Sequence, residues 1–227
     1  MRPEAQRLYL TLIGVDPVRI EALAAPQAQT QAPKPSPASS PDPVGAMQRL
    51  AEEARTCRRC ALAETRTQVV FGVGDPRAKL VIIGEAPGRD EDLQGEPFVG
   101  RAGKLLDKIL AAVGLSRAQV YIMNILKCRP PNNRDPRPEE IEACAHWRER
   151  QLEILRPKVI MLLGRVAAQT MLGTKAPTGS LRGRVHEVRG VPAIVSWHPA
   201  YLLRQPSQKR SAWEDWQKAI ALLREDR

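Results

Sequence analysis

Four cysteines, Cys57, Cys60, Cys128 and Cys144, fall in the spacing C-x2-C-x67-C-x15-C. Four thiolates suggest a tetrahedral centre, and spacing alone leaves zinc and an iron-sulfur cluster both open, because each accepts four Cys ligands. The pair in CRRC has a thiol-redox reading as well, but that motif opens a helix after a strand and needs no further cysteines. Arg58, Arg59, Lys127 and Arg129 flank the four and would offset the negative charge of such a centre. A second constellation is acidic: in LVIIGEAPGRDED an apolar run and a Gly/Pro turn lead into Glu85, Asp90, Glu91 and Asp92. Such a cluster suits a solvated loop, a divalent-cation site, or a catalytic loop beside an anionic substrate that cations hold elsewhere. A third feature is His198, directly beyond the apolar segment PAIVSW and followed by Pro199 and the segment Tyr-Leu-Leu-Arg.

These residues need a scaffold, and the hydrophobic pattern describes one. KLVIIG (79 to 84), VYIMNI (120 to 125), KVIMLLG (158 to 164) and PAIVSW (192 to 197) read as buried strands. Helical patterns alternate with them: GKLLDKILAAV closed by Gly114, PEEIEACAHWRERQLEIL opened by Pro138, GRVAAQTML, and the final SAWEDWQKAIALLRE. Continuous apolar strands alternating with helices predict an α/β fold, three-layer α/β/α with a central, mostly parallel sheet. Ligands of such folds lie outside the carboxyl ends of the strands. The loops GEAPGRDED, NILKCRPPNNRD and WHPAYLLR each follow a predicted strand, so they should converge on one crevice.

The 227 residues allow one enzyme-sized domain with an appendage. Residues 26 to 45 read as a Pro/Ala-rich linker, which separates a short N-terminal extension (1 to 25) from the main domain at 46 to 227. Residues 1 to 46 carry four Lys/Arg and four Asp/Glu, so the whole formal net charge of +10 lies beyond them. A sequence pI near 9.9 favours a polyanionic partner, nucleic acid first. No apolar run approaches the roughly 18 to 20 residues that span a bilayer, which predicts a soluble, cytoplasmic protein with no membrane partner. In that reducing compartment the cysteines are expected as ligands or thiols and not as disulfides.

GEAPG with its following acids, EPFVGRAGKLLDKIL, YIMNILKCRPPNNRDP, HPAYLLR and the four-cysteine spacing closely resemble the family 4 uracil-DNA glycosylases, the iron-sulfur branch of their superfamily. The resemblance covers residues 47 to 224. It implies the uracil-DNA glycosylase-like fold, a structural 4Fe-4S cluster on Cys57, Cys60, Cys128 and Cys144, and excision of uracil from DNA that leaves an abasic site. A monomer acting on uracil-containing DNA is expected. By motif, Phe98 resembles the residue that stacks on the flipped uracil, Asn124 the one that reads its edge, and His198 the catalytic histidine, in a pocket floored by Gly84 and Ala86.

The residue types fit that chemistry independently. An Asn amide accepts from uracil N3–H and donates to O4, whereas cytosine presents an acceptor and a donor there, so a fixed Asn124 discriminates between them. Cleavage builds negative charge on the departing base, which a donor from His198 to uracil O2 would stabilise. In the related family 1 enzymes an Asp two residues after the first Gly positions water; here Ala86 stands at that place. Glu85 or Glu91 is left to orient water, and Glu91 could also crowd the thymine methyl, while Asp90 and Asp92 are expected to be solvated. Leu202 and Leu203 are wedge candidates for the space left by the flipped nucleotide, with Arg204, Arg101, Lys104 and Arg182 toward phosphates. The covalently trapped branch of the superfamily carries a histidine in a basic KRRIH-type loop; NNRDPRP has none, so stable trapping is not expected. Two other classes compete: a non-catalytic iron-sulfur nucleic-acid-binding protein of the same fold, and a thiol oxidoreductase using CRRC.

Overall fold

Asp42 caps the first described helix, α1 (Pro43–Arg55), its carboxylate accepting from the Val44 N–H at 3.2 Å and the Gly45 N–H at 3.0 Å. Pro43 at the first helical position has no N–H to waste and a φ already suited to a helix. The helix therefore begins three residues inside the segment read as linker to residue 45, and it buries Met47, Leu50 and Ala54. The computed structural model describes residues 42–225. The N-terminal extension and all but the last residues of the linker lie outside them.

The four expected strands form the middle of a six-stranded sheet. Strands β2 (Leu80–Gly84), β3 (Tyr121–Asn124), β4 (Val159–Leu163) and β6 (Val191–Ser196) run parallel in the order β3-β2-β4-β6. Two antiparallel edges that hydrophobic patterning did not reveal complete it: the two-residue β1 (Val73–Gly74) against β3, and β5 (Val185–Val188) against β6. Both edges are short or polar, which limits unwanted pairing with other chains. From β2 the chain steps to β3 on one side and then crosses to β4 on the other. The topological switch point, where ligands of open α/β sheets bind, lies beside the carboxyl end of β2.

Side-chain alternation divides the core into two layers. Val81 and Ile83 face one cluster, shared with α1, α5 (Pro138–Leu155) and α6 (Arg165–Leu172). Leu80 and Ile82 face the other, shared with α4 (Arg101–Ala112) and the C-terminal α9 (Lys209–Arg224). The expected three-layer α/β/α arrangement is present. Short helices decorate the functional loops: α2 (Leu62–Thr65), α3 (Arg89–Gln94), α7 (Thr178–Leu181) and α8 (Pro199–Arg204). Among the described residues no helix is long and apolar enough to cross a membrane.

One acid departs from its expected place. Asp92, read as solvated, is 3 % exposed and accepts from the Thr67 N–H and the Thr67 hydroxyl, both at 2.9 Å. It ties α3 to the segment after α2, a long-range contact that a count of local charges could not reveal. Removing the carboxylate strands two donors, at about 1–3 kcal/mol. Asp92→Ala should therefore lower the free energy of urea unfolding by about 2 kcal/mol. An unchanged midpoint and slope would show that Asp92 holds nothing.

Candidate active site and cysteine recess

The loops after β2, β3 and β6 enclose a cleft of about 1200 Å³ that is open to solvent. Glu85, Ala86, Glu91, Phe98, Asn124, His198 and Arg204 all line it. Asn124 ends β3, directly paired with Gly84 at the end of β2. It is 2 % exposed, and its Oδ1 is buried without a hydrogen-bond partner among the described residues. The glycine is required by close approach: a Cβ on Gly84 would lie 2.4 Å from Asn124 Oδ1 and 2.6 Å from Phe98 Cζ.

Phe98 is 6 % exposed, and its backbone adopts φ 57°, a region costly for an aromatic residue unless its surroundings impose it. They do so from three sides. Arg117 donates to the carbonyls of Pro97 at 2.6 Å and Phe98 at 3.2 Å. Gly103 lets α4 approach so closely that a Cβ there would meet the Phe98 carbonyl oxygen at 1.7 Å. Glu91 accepts from the N–H groups of Val99 at 3.0 Å and Gly100 at 3.1 Å with Oε1, and of Gly88 at 3.1 Å with Oε2. Phe98 is thus both core and cleft wall, one face packed on the α4 layer and its ring 5.4 Å from that of His198, stacked at 27°.

His198 caps α8, and its Nδ1 accepts from the Ala200 N–H at 3.1 Å. An Nδ1 that accepts is unprotonated, which assigns the proton of the neutral ring to Nε2. Burial pushes the imidazole down to about 4, and the nearby charge of Arg204 adds to the effect. Gly164, at φ 90° after β4, leaves room for this histidine: a Cβ there would be 3.0 Å from His198 Cβ. Burial also holds the Glu85 carboxyl above the ordinary carboxylate range, with Asp135 reinforcing the shift and Arg165 opposing it.

Asp135, Asn133, Arg134 and Tyr201 line the cleft too, on two of the loops expected to converge there, although no role was attached to them individually. Arg134 is anchored to the buried Glu140 at 2.5 and 2.9 Å, and Glu140 also accepts from the Arg137 N–H at 2.8 Å. The RPEE that opens α5 was the available signal for this tether. Arg165 pairs with Asp135. Arg101 and Lys104 are exposed on the first turn of α4, outside the cleft lining.

The cysteines gather apart from the cleft. Cys57, Cys60, Cys128 and Cys144 line one recess with Lys127, Arg66 and Trp147, and none of the four is in a disulfide. N–H groups point at the sulfurs: Arg66 Nη1 at 3.1 Å from Cys128, Trp147 Nε1 at 3.2 Å from Cys57, and the Lys127 amide at 3.3 Å from Cys144. Burial pushes the Cys128 thiol up to about 11 and raises that of Cys144, against the pull of Arg66 and Lys127 respectively.

The uracil DNA glycosylase superfamily model matches residues 71–218. The chain is 50 % identical over 177 residues to a type-4 uracil-DNA glycosylase of Archaeoglobus fulgidus, covering 74 % of this chain and 89 % of that protein. It is 42 % identical over 184 residues to the type-4 enzyme of Thermotoga maritima, covering 79 % and 96 %. The corresponding protein of Sulfurisphaera tokodaii is 38 % identical over 184 residues, covering 77 % and 84 %. The chain belongs to the type-4 uracil-DNA glycosylases.

For a type-4 uracil-DNA glycosylase, two of the residues expected at DNA stand elsewhere. Leu202 is 1 % exposed, buried against α4 and α9; Leu203, at 43 %, is the exposed leucine of the pair. Arg182 is turned inward onto Asp215 at 2.7 Å. Helical spacing within α8, which buries Pro199 and Leu202 and exposes Leu203 and Arg204, decides the first, and a partner 33 residues away decides the second. Neither is visible in a local pattern.

The depressed imidazole has a direct test. A folded-state pKa below the unfolded value keeps His198 neutral as pH falls, until about 4. Nitrogen-15 NMR of labelled histidine should show His198 as the Nε2–H tautomer at about pH 6, where an ordinary histidine is largely protonated. An imidazolium at that pH would remove the neutral-donor arrangement.

Proposed function

We propose that the protein is a monofunctional uracil-DNA glycosylase, which hydrolyses the bond between uracil N1 and deoxyribose C1′ and leaves an abasic site. The observation that carries this reading is the bare, buried acceptor of Asn124, beside the Phe98 ring and the His198 donor. Uracil flipped from the stack would place N3–H at Asn124 Oδ1 and O4 at the amide nitrogen, with its face on Phe98. Cytosine has no N3–H and presents N4–H₂ in place of O4. It would leave the acceptor bare and set two donors against each other.

In the reaction the C1′–N1 electron pair leaves with the base and negative charge gathers on uracil O2. The neutral His198 Nε2–H can donate there, and a neutral donor suits a weakly basic leaving group without requiring an acid. Water supplies hydroxyl to C1′ and, in balance, a proton to the released uracil. Glu85 is our choice to orient that water, since it faces the cleft and, among the described residues, no hydrogen bond of its carboxylate competes. Glu91 spends both oxygens on backbone N–H groups, which fits shaping the loop around Phe98 rather than handling water. Leu203 would fill the vacated stack, with Arg204, Arg101 and Lys104 toward phosphates.

The recess fits a 4Fe-4S cluster on Cys57, Cys60, Cys128 and Cys144. Four free thiols ring one recess and three receive N–H donors, an arrangement suited to charged thiolate sulfur. Bound there, the cluster would supply a covalent staple between residues 57–60, the turn after β3 and α5. We further propose that the enzyme works as a monomer in the cytoplasm, where thiols stay reduced.

The test is alkaline cleavage of a labelled oligonucleotide containing one uracil, with thymine and cytosine controls. Scission only at uracil and only after alkali is expected. Asn124→Ala should lower the single-turnover rate by about 10²-fold or more while DNA affinity changes little, since it removes a base contact and no phosphate contact. DNA binding with no abasic product would favour the non-catalytic reading instead. Separately, freshly purified protein should show broad visible absorbance with iron and acid-labile sulfide. Zinc in their place would overturn the cluster assignment.

A further inference from the structure

Arg182 carries the wrong environment for a phosphate contact. Its side chain is 12 % exposed, its Nε donates to Asp215 Oδ2 at 2.7 Å, and its Nη2 donates to the carbonyl of Ser211. Its guanidinium lies 5.1 Å from the centre of the Trp197 indole. That indole donates from Nε1 to Ser211 Oγ at 3.2 Å and stacks on Tyr201, with ring centroids 4.8 Å apart and planes tilted by 33°. Guanidinium, indole and phenol therefore form one chain of ring contacts, referred to below as the stack, from a buried ion pair on α9 to the cleft wall on α8.

The stack ends on the helix that carries Leu203 and Arg204. At six residues α8 is far too short to hold its own geometry. Leu202 anchors one side of it in the core, and the Trp197–Tyr201 contact fixes the other. Asp215 is 1 % exposed on its side chain, and taking such a pair out of water costs about as much as the attraction returns. Stability is thus a poor reason for the pair. Direction is a better one, because a planar guanidinium held by a carboxylate offers a fixed face for an aromatic ring, which a lysine cannot.

We propose that Arg182, oriented by Asp215, is a positioning residue for opening duplex DNA: through Trp197 and Tyr201 it sets the angle at which α8 presents Leu203 and Arg204. The proposal rests on the uracil-excision reading above, and it assigns the stack to base extrusion and not to the chemical step. A uracil in single-stranded DNA needs no neighbour displaced and no gap filled, so the stack matters there least.

The experiment compares single-turnover excision of uracil from a duplex and from the same strand alone, for the wild type, Arg182→Gln and Arg182→Lys. A 2-aminopurine beside the uracil reports extrusion by its fluorescence. Duplex excision and the fluorescence rise should both fall by about tenfold in either variant, while the single-strand rate stays within about twofold. Lysine should fail to rescue, since it restores charge without a stacking plane. If Arg182→Gln does not fold, the double variant R182M/D215L removes the pair together and leaves no lone buried charge. The same duplex-only loss is expected of it. Equal losses on both substrates, or none on the duplex, would overturn the positioning role. Absence of excision by the wild type on either substrate would instead strike the functional reading beneath it.

Discussion

A carboxamide oxygen buried without a donor is an expensive thing for a fold to keep, about 1–3 kcal/mol for such a group, and the cleft is organised around keeping one. Among the described residues Asn124 Oδ1 has no hydrogen-bond partner, and Gly84 and the Phe98 ring crowd the space beside it, where a Cβ on the glycine would lie 2.4 Å from that oxygen and 2.6 Å from Phe98 Cζ. Phe98 holds that position in a left-handed conformation only through the Arg117 bonds to its loop, the glycine beneath its carbonyl and the three N–H groups collected by Glu91. Each constraint is cheap alone. Together they preform a slot before any ligand arrives, so that little of the binding energy is spent on ordering it.

The gathering of acids in a basic chain has its origin in the same requirement. Asp92 turns inward to Thr67, Glu91 ties two loops together through their amides, and Asp90 is exposed. The oxygens of Asp92 and Glu91 are already accepting, so the cluster does not offer a divalent cation a set of free ligands. Of these four acids, Glu85 alone turns an uncommitted carboxylate to the cleft, where burial and Asp135 weaken its acidity. Arg101, Lys104 and Arg204 are exposed cations, and Arg204 shares the cleft with Glu85 and Glu91.

Local pattern is the part of this fold that was legible in the sequence. Four apolar runs became the four parallel strands, and the loops after three of them did converge, because a parallel sheet puts successive carboxyl ends on one edge. The roles of Asn124 and His198 come from the family resemblance, whereas their places at the end of a strand and just beyond one can be read from where an apolar run stops. Asp92, Leu202 and Arg182 were misplaced for a common reason: burial is decided by partners far along the chain, Thr67 for the first, α4 and α9 for the second, Asp215 for the third. Asp135 and Tyr201 lie in loops expected at the crevice but were not singled out, since a loop or short helix has no periodicity to show which way each side chain faces.

The position of the cysteine recess is tied to the strand that ends in Asn124. Asn124 and Cys128 are four residues apart, and the turn between them is closed by Lys127, which is 1 % exposed. Its ammonium donates to the Asn124 carbonyl at 2.8 Å while its own amide donates to Cys144 Sγ at 3.3 Å. A buried ammonium is tolerated only with close acceptors or opposite charge, and here the strand end supplies the acceptor and the thiols stand beside it. A staple at a remote edge would stiffen the fold in general. One at this turn, on the proposed reading of the recess, would stiffen the backbone from which the Asn124 side chain projects.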